Sequence, residues 1–347
     1  MNHERLRRQL LTMIVTAALL GAAAIAPAGA ADFYAGKTIE ILVGSAAGGG
    51  FDIYARALAR HWGKHIPGHP TIVVRNMPGA GGARSAAYVS TVAPKDGTVL
   101  AAPMPGAIVG PLLDDKPEAG FDPAKLQYIG TADSGVRVCV TMAKSKVKTA
   151  ADALTTKAIM GATQPGGSSS DYAYMHRYTS GAKFDVVSGY QGMTDTSLAM
   201  ERGELDGTCG WDWSSLKSMK PDWIRDKRVN ILFQVGLQPD PELTAMGVPE
   251  IWKFLNTEED RKVVELVASQ QVFMRFFVAP PATPPPQVSL LRTAFDETMK
   301  DADFLREAER QQLSIKPLSG DKVQDLVQRM YNTPKEIVDR TKRAISP

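Results

Sequence analysis

The sequence predicts an α/β protein built in two lobes. Short runs rich in β-branched residues alternate with helical patterns, as in sheets covered by helices. Two of those strands run into glycine- and serine-rich loops that open a helix, one in each half of the chain. The 317 residues that follow a leader segment are too many for one comfortable core.

The leader is residues 1–30. Glu4-Arg5-Leu6-Arg7-Arg8 is a charged start, Leu10 to Ala26 carries no charge, and Ala28-Gly29-Ala30 is a small-x-small processing site. This reads as a signal peptide cleaved near Ala30, so the mature chain is expected to be exported to an oxidising compartment. An uncleaved anchor is the alternative, but the run is short for a span. Without the leader the formal charge falls from +3 to +1. A near-neutral chain has no clustered basic surface for nucleic acid. No later apolar run is long enough for a second span. With 44 % hydrophobic and 22 % charged residues, disorder is excluded.

The elements follow in order. Residues 37–43 read as a buried strand, 44–50 as a loop of small residues, and Asp52 as the N-cap of a helix on which Tyr54, Leu58 and Trp62 recur at fours. A strand at 71–74, a turn at 76–82, a helix near 83–92 and a strand at 97–101 complete the first unit. The second opens with a strand at 136–142 and a helix starting at Thr149. A strand at 158–160 then runs into the loop 161–170, with a helix from about Asp171. A strand at 184–187, a helix at about 194–202 and a strand at 230–235 follow. Residues 273–278 are apolar and extended. The prolines of 280–286 break any helix, and the rest is helical with Ser319 as a cap.

The two loops carry the chemistry. Gly44-Ser45-Ala46-Ala47-Gly48-Gly49-Gly50-Phe51-Asp52 lets the backbone approach a ligand closely, and the helix that follows presents free amides and a positive dipole end. Such a place binds anions without a formal charge. Gly161-Ala162-Thr163-Gln164-Pro165-Gly166-Gly167-Ser168-Ser169-Ser170 repeats the construction with added hydroxyls. Ordinary strand–helix turns are the alternative. No phosphate lysine and no G-x-G-x-x-G follows either strand, so neither is a nucleotide loop.

Catalytic patterns are poor. His61, His65 and His69 are spaced by four, but Gly63, Pro67 and Gly68 break the helix that would align them. Ser168-Ser169-Ser170 lacks a nucleophile elbow, and His176 lies on the following helix with its direction open. No C-x-x-C exists. Cys139 and Cys209 are expected as two buried free thiols, with pairing the alternative. Trp211 and Trp213 either pack in the core or place one ring against a ligand. Tyr190-Gln191-Gly192 offers a hydroxyl and an amide, and Asp206 reads as a structural turn residue.

Several segments together resemble the Bug-type (TctC-like) periplasmic receptors of tripartite tricarboxylate transporters. They are Gly48-Gly49-Gly50-Phe51-Asp52-Ile53-Tyr54-Ala55-Arg56, Pro78-Gly79-Ala80-Gly81-Gly82 with Ala93-Pro94-Lys95-Asp96-Gly97-Thr98, the second loop, Ala199-Met200-Glu201-Arg202-Gly203-Glu204-Leu205-Asp206-Gly207, and Phe277-Val278-Ala279-Pro280-Pro281. Many relatives carry a proline and an aromatic residue where this chain has Ser45-Ala46-Ala47. The resemblance implies a two-lobed, flytrap (type II) α/β binding fold with two crossover strands at the hinge. It puts 31–138 and 276–347 in lobe 1 and 139–275 in lobe 2. It implies a small organic acid held between the lobes, and membrane permease subunits as partners of a monomer. It carries over to Ser45, Gly49, Gly50, Asp52, Thr163, Ser168 and Ser169, to which Phe51, Ser134, Gln164, Tyr190 and Trp211 are added as candidates. No cofactor, metal or catalytic residue is expected. The rival readings are a periplasmic sensor subunit of a membrane signalling system and an enzyme on the same fold.

Overall fold

The computed structural model describes residues 33–48, 50–113, 120–164, 166–190 and 192–347. The leader, 1–30, and the candidate Gly49 lie outside them. The described strands are β1 (Thr38–Val43), β2 (Thr71–Asn76), β3 (Val99–Ala102), β4 (Gln127–Thr131), β5 (Arg137–Met142), β6 (Ala158–Ala162), β7 (Phe184–Ser188), β8 (Gly207–Asp212), β9 (Val229–Val235), β10 (Phe276–Ala279) and β11 (Leu318–Ser319). They form two sheets, ordered β11-β4-β10-β3-β1-β2 and β7-β6-β8-β5-β9. Both are mixed α/β sheets, and the architecture is that of a two-lobed periplasmic binding protein.

β1 shows why the first sheet is buried on both faces. Ile39, Ile41 and Val43 alternate onto one core, while Leu42 faces the other. On the first face lies α1 (Gly50–Trp62), whose Tyr54, Leu58 and Trp62 are buried. The Trp62 ring meets Phe277 and Phe295 edge-on, both at 5.8 Å. The second sheet carries α2 (Ser168–Thr179). Its start rests on β8 at Gly210, where φ is +66° and a Cβ would fall 2.2 Å from the Ser168 carbonyl oxygen. Only glycine lets the helix end come so close.

Topology sets the two loops at related edges. β1, β2 and β3 are parallel, and β10 runs antiparallel to both β3 and β4. The carboxyl ends of β1, β3 and β4 and the start of β10 therefore share one edge. In the second sheet β6, β7 and β8 are parallel and β5 is antiparallel to β8, so their carboxyl ends share an edge with the start of β5. The chain crosses from β4 to β5 through 132–136 and returns into β10 through 270–275. Both crossings thus join these two edges, and the loops after β1 and after β6 lie on either side of the hinge.

Four expectations change. The return crossing is not extended from residue 273: α3 (Glu258–Ser269) runs into a 3-10 turn, Gln270–Met274, which buries Val272 and Phe273. Cys139 and Cys209 are paired rather than free, because they sit on the adjacent strands β5 and β8 with Cα atoms 3.9 Å apart. Asp52 is the third residue of α1 and not its N-cap, reaching back to accept from the Gly48 amide at 2.8 Å. Ser319 stands at the N-cap position of the helix Gly320–Tyr331, but its side chain makes no capping bond.

The last helix, α4 (Lys335–Ala344), packs on α2 and α3. Val338 enters the core of the first sheet, Ile345 meets that of the second, and Arg340 binds Asp260 at 2.7 Å. The end of the chain thus touches both lobes. Among the described residues no helix is long and apolar enough to cross a membrane.

Candidate functional site

The first loop is held from beneath by Asp52. Its carboxylate is 2 % exposed and accepts from the Gly48 amide, from Arg56 Nε at 2.9 Å and from Asn76 Nδ2 at 2.9 Å. Burial pushes this carboxyl up, but the Arg56, Gly48 and Asn76 donors outweigh it and hold it below its ordinary value. Asn76 also donates to the Ser45 carbonyl at 3.0 Å. The charge of Asp52 is spent inside the protein. What the loop offers outward is backbone, at exposed Ala46, Ala47 and Gly50, and the half-buried Ser45.

Arg275, on the return crossing, lies against the first turn of α1. Its guanidinium sits 5.0 Å from the Phe51 ring centroid and 4.4 Å from that of Tyr54. A Cβ on Gly50 would come within 3.3 Å of its Nη2. Arg275 Nη1 donates to the Met274 carbonyl at 2.6 Å, while buried Nε has no partner. A formal positive charge thus stands beside the positive end of a helix. Phe51 serves as one wall of the arginine's seat.

The second loop is built around α2. Gly167 is its N-cap residue, with no side-chain capping bond. Ser169 Oγ accepts from the Thr163 amide at 2.9 Å and lies 3.0 Å from Thr163 Oγ1. Ser170 Oγ is buried without a partner. Asp171 accepts from the Gly166 amide at 3.0 Å. Burial raises its carboxyl to about 6 against that bond and the charge of Arg137. Arg137 opens β5 on the outgoing crossing. It is 8 % exposed, its Nη1 has no partner, and its Nη2 lies 3.7 Å from Met274 Sδ. Each crossing therefore brings one arginine to its loop, and both touch Met274.

On the outgoing crossing Asp133 is buried, with its Oδ1 accepting from the Gly135 amide at 3.1 Å. Burial, with the charge of Asp212 adding to it, pushes its carboxyl up to about 7. Lys316 binds Asp240, tying the two lobes beside the hinge. A cavity of ≈ 370 Å³ lies between Gly106, Val109 and Gly110 of the first lobe and Gly166 and Asp171 of the second loop.

The other candidates fall as follows. Ser134 donates its hydroxyl to the Lys316 carbonyl at 2.9 Å. Gln164 is exposed and Ser168 and Tyr190 are half-buried on the second loop's side. Trp211 is 1 % exposed and meets Trp223 edge-on at 5.9 Å, while Trp213 donates to Glu242 at 3.0 Å. The packing alternative therefore describes both rings. His61 and His65 pair with Glu307 and Asp301. Asp206 accepts from the Ile159 amide at 2.9 Å, a turn role. His176 faces the second core, not the loop. Arg137 and Arg275, which stand beside the two helix starts, are not among the residues the sequence singles out. Their signal was a lone charge within Val136-Arg137-Val138 and Phe273-Met274-Arg275-Phe276.

No protein-family model matches the chain, and no curated protein matches it. Solved structures do. The fold matches that of a TctC solute binding protein from Polaromonas, 18 % identical, over 88 % of this chain and 99 % of that one with a TM-score of 0.65. It matches the periplasmic binding protein BugD at 19 % identity over 90 % and 98 % with a TM-score of 0.56. MatC from Rhodopseudomonas palustris, solved with bound malate, is 18 % identical over 89 % and 99 % with a TM-score of 0.54. The chain has the fold of these binding proteins.

Proposed function

We propose that this chain is a Bug-type periplasmic receptor. It captures a small carboxylate between its lobes and hands it to the permease of a tripartite tricarboxylate transporter. The observation that carries the reading is the pairing of two helix N-termini on the two hinge-facing edges, the first with Arg275 beside it. Free amides, a guanidinium and the half-buried hydroxyl of Ser168 suit carboxylate oxygens. The malate of MatC is the same class of ligand. Ligand bridges the lobes and shifts an open–closed equilibrium by its differential affinity for the closed form, which the permease reads. A serine-hydrolase reading lacks its base: His176 is fully buried and neither of its ring nitrogens has a hydrogen-bond partner.

Calorimetric titration with mono-, di- and tricarboxylates tests this. One acid of the panel is expected to bind, and Arg275→Met is expected to weaken it by about 10- to 100-fold, the worth of a charge-assisted hydrogen bond. Undiminished affinity in that variant would remove Arg275 from the site, and no binding across the panel would remove the function.

A further inference from the structure

The core of the second lobe holds a polar group that packing alone does not account for. His176, on α2, is fully buried, and neither ring nitrogen has a hydrogen-bond partner. Its ring lies 4.6 Å from that of Phe233 and 6.2 Å from that of Phe184. A phenylalanine would fill this space without leaving two polar nitrogens dry. Beside it runs the Cys139–Cys209 bridge, joining β5 and β8. One imidazole nitrogen and the two Sγ atoms all lie within 4.8 Å of one another.

We propose that the dithiol form of this protein binds a thiophilic divalent cation of the zinc class through Cys139, Cys209 and His176, and that the disulfide is the closed state of the same site. A dithiol reductant supplies two electrons and two protons, the S–S bond breaks to two thiols, and the reductant becomes a disulfide. On binding, each thiol releases its proton to solvent and the ion takes two thiolates and one neutral imidazole. The charges then sum to zero, which suits a fully buried pocket, whereas a monovalent ion would leave a net negative charge there. Metal–sulfur bonds of about 2.3 Å and metal–nitrogen bonds of about 2.0–2.1 Å set tetrahedral ligands roughly 3.4–3.8 Å apart, within the span seen here. Two strands and one helix hold the three side chains, so once the S–S bond is broken only the two sulfurs have to move apart to reach that spacing. The unpartnered nitrogens gain a purpose in the reduced protein that they lack in the oxidised one.

The test uses the full chain produced and kept reduced, titrated with cobalt(II) as a spectroscopic probe and then with zinc in competition. One equivalent is expected, with a thiolate-to-cobalt charge-transfer band and a raised thermal midpoint, and none in the oxidised protein. His176→Phe, which retains both cysteines, is expected to bind at least about tenfold more weakly. His176→Gln repeats the comparison should the first variant fail to fold. The proposal is overturned if the folded reduced chain takes up no metal or if binding is unchanged in both variants. Loss of the fold on reduction overturns it too, because the pocket would not survive to bind.

Discussion

Replacing the hinge carboxylate by its amide, Asp133→Asn, isolates one electrostatic cost of the architecture. Asp133 is 5 % exposed and pushed up to about 7 by burial and by the neighbouring Asp212, against Arg275 and Lys316. The native state therefore holds this proton more tightly than the unfolded chain. Its contribution to stability is full below about pH 4 and is lost as the pH climbs to about 7. At about 1.4 kcal/mol per tenfold change in proton affinity, the rise from 3.8 to about 7 amounts to about 4 kcal/mol. Asparagine keeps the acceptor for the Gly135 amide and adds a donor that can face Asp212. Urea unfolding with the disulfide intact, followed from about pH 4 to about pH 8, reads the difference. The variant is expected to gain on the wild type across that window, by up to about 4 kcal/mol at its upper end. Parallel stability curves would refute the reasoning, because the wild-type carboxyl would then titrate alike in both states.

Two other perturbations follow from the second lobe. Gly210→Val sets a branched carbon 2.2 Å from the Ser168 oxygen at a φ of +66°, and thermal unfolding is expected to show a loss of about 3 kcal/mol or more. Replacing Cys139 and Cys209 together by alanine opens a link between residues 70 apart, with an expected loss of roughly 4 kcal/mol in chemical denaturation.

Most strands were legible because β-branched runs bounded by glycine mark them: β1, β2, β5, β6, β7 and β9 all read within a residue or two of their bounds. β8 did not read as a strand. Gly-Thr-Cys-Gly-Trp-Asp has two glycines and little β propensity, and it is a strand because Val140 and Ser168 backbone atoms press against those glycines. β4, with Gly130 against the Phe295 ring, is the same case. The disulfide was illegible for a related reason, since only the register of β5 on β8 brings its halves together. The two loops were legible as strand-to-helix turns with free amides. The arginines that give the site formal charge were not, because each comes to its loop through the hinge rather than along the sequence.

The crystal structure of the protein with its tightest-binding carboxylate tests the account most directly. The acid is expected between the lobes, its carboxylate on the amides at the start of α1 near Arg275, with a second contact at Thr163 or Ser168. An acid bound tightly but seated away from both helix starts would contradict it.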